Sequence, residues 1–95
     1  MYAVVFDIDT ECLKEQYHNT SIPNAYGDLR KFMESNDFKW QQGSVYFGSD
    51  KITAVSCVLI VQRLGREYPW FSTCVRDVRM LRIEENNDLL PAIRI

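Results

Sequence analysis

Phe38-Lys39-Trp40-Gln41-Gln42-Gly43-Ser44-Val45-Tyr46-Phe47 is the stretch whose reading decides the fold. Phe38–Gln42 alternates apolar and polar residues, as a half-buried strand does, and Ser44–Phe47 is a second short β-type run beyond Gly43. Gly48-Ser49-Asp50 ends that run with turn residues. Two strands therefore follow one another in mid-chain, and the question becomes what flanks them.

Upstream, Tyr2–Phe6 is a Val- and aromatic-rich run closed by Asp7, predicted as a buried strand. Asp9–Asn19 is polar and reads as a loop or an irregular helical turn. From Ile22 the pattern becomes helical. Ser21 can cap, Pro23 suits a first helical position, and Ile22, Ala25, Tyr26, Leu29, Phe32 and Met33 follow helical spacing until about Asn36-Asp37. Arg30 and Lys31 fall on the opposite face. Downstream, a second helix is predicted from about Ile52 to Arg66. Its stripe is Ala54, Val55, Val58, Val61 and Leu64, widened by Leu59 and Ile60, with Gly65 and Pro69 as the stop. Val75–Ile83 reads as a strand with two mixed faces, which suits a sheet edge or a subunit interface. The tail Leu89–Ile95, broken by Pro91, reads as a short helix or an added edge strand.

The order is βαββαβ, which predicts an α+β, ferredoxin-like sandwich: a four-stranded antiparallel sheet with two helices on one face, plus a short C-terminal segment. Ninety-five residues fit a single domain, 1–95. The bare sheet face invites a partner. An apolar content of 46% and a net charge of −2 exclude disorder. No run is long enough to span a bilayer, so no membrane role is expected. Cys12, Cys57 and Cys74 are odd in number and widely spaced, and His18 is the single histidine. Structural zinc and a disulfide framework are thus disfavoured, and reduced thiols in a cytoplasmic protein are expected. Asn19-Thr20-Ser21 has the form of a glycosylation sequon, which has no meaning in that compartment.

Several residues have the chemistry for a site. Asp7 ends the first strand and suits a general base, an electrostatic positioner or a magnesium ligand; a solvated strand end is the competing reading. Gly43 and Ser44 offer backbone N–H groups and a hydroxyl to a phosphate, or simply make a hairpin turn. Trp40 and Tyr46 suit base stacking or packing. His18 lies in a polar stretch without a visible partner. In Val75-Arg76-Asp77-Val78-Arg79 and Arg82 the arginines have the geometry for phosphate, or for salt bridges to Asp77 and Glu84. The acidic pI of about 5.3 argues against a globally basic nucleic-acid binder. Yet six arginines lie after residue 62, while Asp7, Asp9, Glu11 and Glu15 crowd the start.

Taken together, Met1-Tyr2-Ala3-(x)2-Phe6-Asp7, Asn24-Ala25-Tyr26-(x)-Asp28-Leu29, Gln42-Gly43-Ser44-Val45-Tyr46, Trp70-Phe71, Val75-Arg76-Asp77-Val78-Arg79 and Arg82-Ile83-Glu84 resemble the virulence-associated protein D (VapD) family. That family is similar to the small CRISPR-associated nucleases of the adaptation stage. The resemblance implies a ferredoxin-like homodimer that cleaves single-stranded RNA or mRNA, an endoribonuclease acting as a toxin of a bacterial toxin–antitoxin system with an antitoxin partner. It implies Asp7, Asp77 and Ser44 as catalytic residues, with Leu13 in a supporting position. Arg76, Arg79, Gly43 and Tyr46 are expected to bind RNA, and Asp7 is the candidate ligand should magnesium be required. Cys74 stands where the family commonly has serine, and Asn87-Asp88-Leu89-Leu90 departs from its acidic–aromatic tail. The alternative expectation is a non-catalytic dimeric module that binds RNA or an antitoxin.

Overall fold

The computed structural model describes residues 1–18 and 21–94; Asn19, Thr20 and Ile95, and with them the Asn19-Thr20-Ser21 triplet, lie outside the described residues. The elements run β1 (Tyr2–Ile8), α1 (Thr10–Gln16), α2 (Ile22–Glu34), β2 (Phe38–Gln42), β3 (Val45–Gly48), α3 (Ala54–Glu67), α4 (Pro69–Cys74), β4 (Val75–Arg82) and α5 (Leu90–Ile93). The sheet is four-stranded, in the order β2-β3-β1-β4, with every neighbouring pair antiparallel. This is the expected α+β, ferredoxin-like arrangement. The mixed strand β4 lies at an edge, where both its faces can be tolerated.

Alternation along β1 sorts the two faces of the sheet. Val4, Phe6 and Ile8 join Tyr46 and Phe38 in the core beneath the helices, which contribute Leu13, Leu29, Met33, Ile60, Leu64 and Phe71. The register sets Ala3 between Phe47 and Leu81, and Val5 between Val45 and Arg79, on the face turned away from the helices. Phe6 anchors the core by stacking with Tyr46 at 5.9 Å and meeting Phe71 edge-on at 5.3 Å.

Four local readings change. Asp9–Asn19 is not a loop at its start: Asp9 caps α1, its Oδ1 accepting from the Glu11 and Cys12 amides at 3.0 and 3.3 Å, and Leu13 is fully buried. Along α3 the buried residues are Cys57, Ile60 and Leu64, whereas Val55 and Leu59 are 71% and 53% exposed. The helix is apolar on most sides, so periodicity alone picked the wrong rotation. Pro69 does not only stop α3; it occupies the first turn of α4, which buries Trp70 and Phe71. Finally, Cys12 and Cys74 form a disulfide, with Cα atoms 5.4 Å apart and 62 residues between them in sequence. The packing of α1 on α4 brings them together, which spacing could not reveal. Cys57 remains a buried free thiol, as expected, and burial pushes its pKa up.

Candidate active site

β1 delivers Asp7 to one end of the sheet, and its register partner on β4 is Asp77. Two carboxylates directly opposite on adjacent strands repel. The side chain of Arg79, two residues along β4, relieves this: its Nε donates to both Asp77 oxygens, at 3.1 and 3.2 Å. That hydrogen bond and the Asp77 charge raise the pKa of the guanidinium. Immediately beyond Asp7 the ladder slips, so that Ile8 faces Val75 and Arg76 is left without a facing residue. A bulge of this kind re-aims a side chain. Arg76 Nη2 lies 3.6 Å from Asp9 Oδ1, the atom that also caps α1. Both ion pairs are exposed and therefore weak, so an anion such as a phosphate is able to compete for either arginine.

On the other side of β1, the Phe6 amide donates to the Ser44 carbonyl at 3.2 Å, which fixes Ser44 one residue from Asp7. Ser44 in the turn before β3, Asp7 on β1 and Asp77 on β4 therefore lie at the same end of the sheet. Parity divides them. Asp7, Asp77 and Arg79 belong to the face away from the helices, whereas Ser44 lines a cleft on the helix side. Gly43 makes this turn with φ +48°, a left-handed conformation that other residues adopt at a cost.

The cleft has a volume of about 500 Å3 and lies between α2 and the β2–β3 turn. Trp40 stands on its wall, its Nε1 donating to the Gly43 carbonyl at 2.9 Å, and the Arg30 guanidinium lies 4.5 Å from the centre of the Trp40 ring. Tyr26 is half-buried, and burial together with the Asp7 charge raises its pKa. Tyr46 also borders the cleft but is only 3% exposed, and burial pushes its hydroxyl up to about 12. Its ring stacks on Phe6, so it is chiefly a core residue. Leu13 is wholly inside and touches no substrate. His18 is exposed beside the Tyr17 ring, 4.4 Å away and far in sequence from these residues.

Sequence reasoning set Arg30 on the solvent face of α2 and passed over Tyr26 as a site residue. The spacing of four between them was the available signal, since it stacks the two side chains on one side of a helix. Among the described residues no group of three or more His, Cys, Asp or Glu is arranged to hold a metal. Asp7 and Asp77 alone offer two carboxylates, the number that magnesium commonly takes from a protein when substrate phosphates complete its shell.

A four-stranded antiparallel sheet in the order β2-β3-β1-β4, with carboxylates, arginines and a turn serine at one end, defines a small α+β protein of the ferredoxin-like class. Residues 1–89 match the family described as CRISPR associated protein Cas2, and the chain belongs to that family. It is 61% identical to Endoribonuclease VapD 2 of Riemerella anatipestifer, over 98% of this chain and 99% of that one. It is 62% identical to the Endoribonuclease VapD homolog of Helicobacter pylori, over 100% of this chain and 98% of its length. A second Helicobacter pylori protein, Endoribonuclease VapD, is 34% identical over 99% of both chains. No described helix is long and apolar enough to cross a membrane.

Proposed function

We propose that the protein is an endoribonuclease that cleaves single-stranded RNA at the Asp7 end of its sheet. The observation that carries this is the meeting of Asp7, Asp77 and Arg79 on paired strands, with Ser44 one residue away, in a chain that aligns end to end with relatives named Endoribonuclease VapD. Asp7 accepts the proton of the attacking hydroxyl as the hydroxyl oxygen bonds to phosphorus, the bond from phosphorus to the leaving oxygen breaks, and that leaving oxygen takes a proton from water. Arg76 and Arg79 exchange their carboxylate partners for the phosphate and stabilise the charge that develops on it. Asp77 holds Arg79 in place, and Ser44 with the backbone at Gly43 positions the RNA strand. If magnesium is used, Asp7 and Asp77 are the residues to hold it, and the ion would supply further neutralisation of phosphate charge. Histidine has no part in this scheme, because His18 packs beside Tyr17 rather than among these residues.

The active form we propose is a homodimer. Val55, Val58, Leu59 and Met80 are exposed along α3 and the free edge of β4, and Leu89, Leu90 and Ile93 are exposed in the tail. An edge strand beside an apolar surface of this kind is a pairing surface. An RNA substrate puts the activity in the cytoplasm, and a stable RNA-cleaving chain there calls for restraint, which is the reason for proposing a toxin with an antitoxin partner. The test is cleavage of a single-stranded RNA by purified protein, with and without chelator, beside Asp7→Asn. Asp7 is exposed, so the variant should keep its fold and lose about 10²–10⁴-fold in rate. Salt-sensitive RNA binding with no turnover in the wild type would instead favour the non-catalytic module.

A further inference from the structure

The cleft between α2 and the β2–β3 turn has features that packing does not require. Gly27 lies inside α2, where glycine is a poor choice, and its neighbours give no reason for it. A Cβ built at this position would meet nothing within 4 Å. The backbone there is helical and needs no left-handed freedom. What the missing side chain leaves is space, and Gly27 lines the cleft.

The opposite wall is rigid and flat. Trp40 is pinned at its edge by the bond from Nε1 to the Gly43 carbonyl, and Arg30 lies over the ring at 4.5 Å. Arg30 is itself held by Glu34, with Nε to Oε1 at 3.2 Å. Trp40, on the edge strand β2, is 37% exposed and so leaves part of its ring open to a ligand. A volume of about 500 Å3 is in the range of small-ligand sites. Tyr26 and Ser44 supply hydroxyls among its lining residues, and the bond from the Phe6 amide to the Ser44 carbonyl sets this border beside the residue that precedes Asp7.

We propose that this cleft is a nucleobase subsite, in which a base flanking the scissile phosphate stacks against the Trp40–Arg30 wall in the space kept by Gly27. Base-on-aromatic stacking accepts any base, and the guanidinium adds a donor edge that discriminates among them by their acceptors. Tyr26 and Ser44 meet the base edge or its ribose. The nature of the ligand rests on the endoribonuclease reading; the cleft itself does not. Arg30 and Trp40 are binding residues in this scheme, and the chemistry remains with Asp7.

The experiment uses Gly27→Leu, Trp40→Ala and Trp40→Phe in two assays. The first is steady-state cleavage of a labelled single-stranded RNA with mapping of the cut sites. The second is quenching of tryptophan fluorescence by a 2′-O-methyl oligonucleotide, which needs no catalysis. Leucine favours helix more than glycine does, so Gly27→Leu should melt no lower than the wild type while its KM rises about tenfold. Trp40→Ala should show the same rise and a flattened preference for the base beside the cut, with Trp40→Phe restoring most of both. Gly27→Leu with KM and quenching within about twofold of wild type would overturn the subsite. A wild type that is quenched by the oligonucleotide, loses quenching in Gly27→Leu and never cleaves RNA would keep the subsite and remove the endoribonuclease reading.

Discussion

Tyr17 follows α1 and fastens it to α2: its hydroxyl donates to Asp28 Oδ2 at 2.6 Å, while its ring meets Trp70 edge-on at 4.9 Å. Replacing it by phenylalanine keeps the ring contact and removes the bond. A neutral donor on a carboxylate is worth about 1.5–3 kcal/mol, and the half-buried Asp28 can recover part of that from water, so Tyr17→Phe should cost about 1–2 kcal/mol at pH 8. The pH dependence gives an independent handle. Burial, and then the hydrogen bond to Asp28, push the Tyr17 hydroxyl up from 10 to about 12. The folded state thus holds this proton more tightly than the unfolded chain. Its stabilising contribution is complete below pH 10 and is lost as the pH rises toward 12. The whole interval corresponds to a contribution on the order of 2–3 kcal/mol. Tyr46 is also raised to about 12 and adds a comparable loss over the same window. Urea unfolding at pH 8 and at steps between pH 9.5 and 12 should show a steep fall for the wild type and a clearly shallower one for Tyr17→Phe, since Tyr46, Tyr26, Tyr68 and Cys57, whose pKa values are also raised, keep their share of the loss. Parallel curves for the two proteins would refute the assignment, because the Tyr17 proton would then have the same affinity folded and unfolded. The functional consequence follows from geometry, since Asp28 lies on the helix that carries Tyr26, Gly27 and Arg30.

Asp7→Asn removes one of two facing carboxylates, so it should raise stability by a few tenths to about 1 kcal/mol in urea while lowering RNA cleavage. Leu64→Ala, at a fully buried position of α3, should cost about 2–5 kcal/mol, whereas Leu59→Ala on the exposed side should stay within about 0.5 kcal/mol; equal effects would restore the rotation read from periodicity. Denatured but unreduced protein should titrate a single thiol, that of Cys57. Cys12→Ser should lose as much as about 4 kcal/mol, the loop-closure value for a 62-residue separation, and thermal melts with and without reductant should differ in the wild type only.

The architecture was legible because its decisive segments have unmixed periods. Phe38–Gln42 alternates, Tyr2–Phe6 is continuously apolar, and Ile22 to Met33 repeats as a helix, so three of the principal elements announce themselves. The pairing of Asp7 with Asp77 was legible at one remove, since a βαββαβ order places the first strand beside the last. What stayed hidden lacked a periodic signature. In α1 only Leu13 is buried, with Tyr17 just past its end, too few to show a period, and the informative residue was Asp9 as a cap. In α3 the apolar residues outnumber the face available to bury them, and Cys57, which the apolar stripe left out, marks the inward side. The contact of Arg30 with Trp40 depends on how α2 lies across β2, a relation that no local pattern encodes.

That same contact changes the meaning of the charge distribution. An acidic chain binds RNA only where local geometry overrides the average, and the local geometry differs on the two sides of the sheet end. On the helix side, the cleft combines one guanidinium with an aromatic wall, a surface that gains from stacking and depends weakly on salt. On the other side, Arg76 and Arg79 are compensated by Asp9 and Asp77, so phosphate binding there exchanges one ion pair for another. The net charge released is small, and the salt slope of binding should be shallow, near one or two phosphates rather than the many that a basic protein engages. On the proposed reading, an RNA strand at this end of the sheet would be held mainly by a base and cut beside it, which would favour a recognised position on single-stranded RNA over indiscriminate attachment along the backbone.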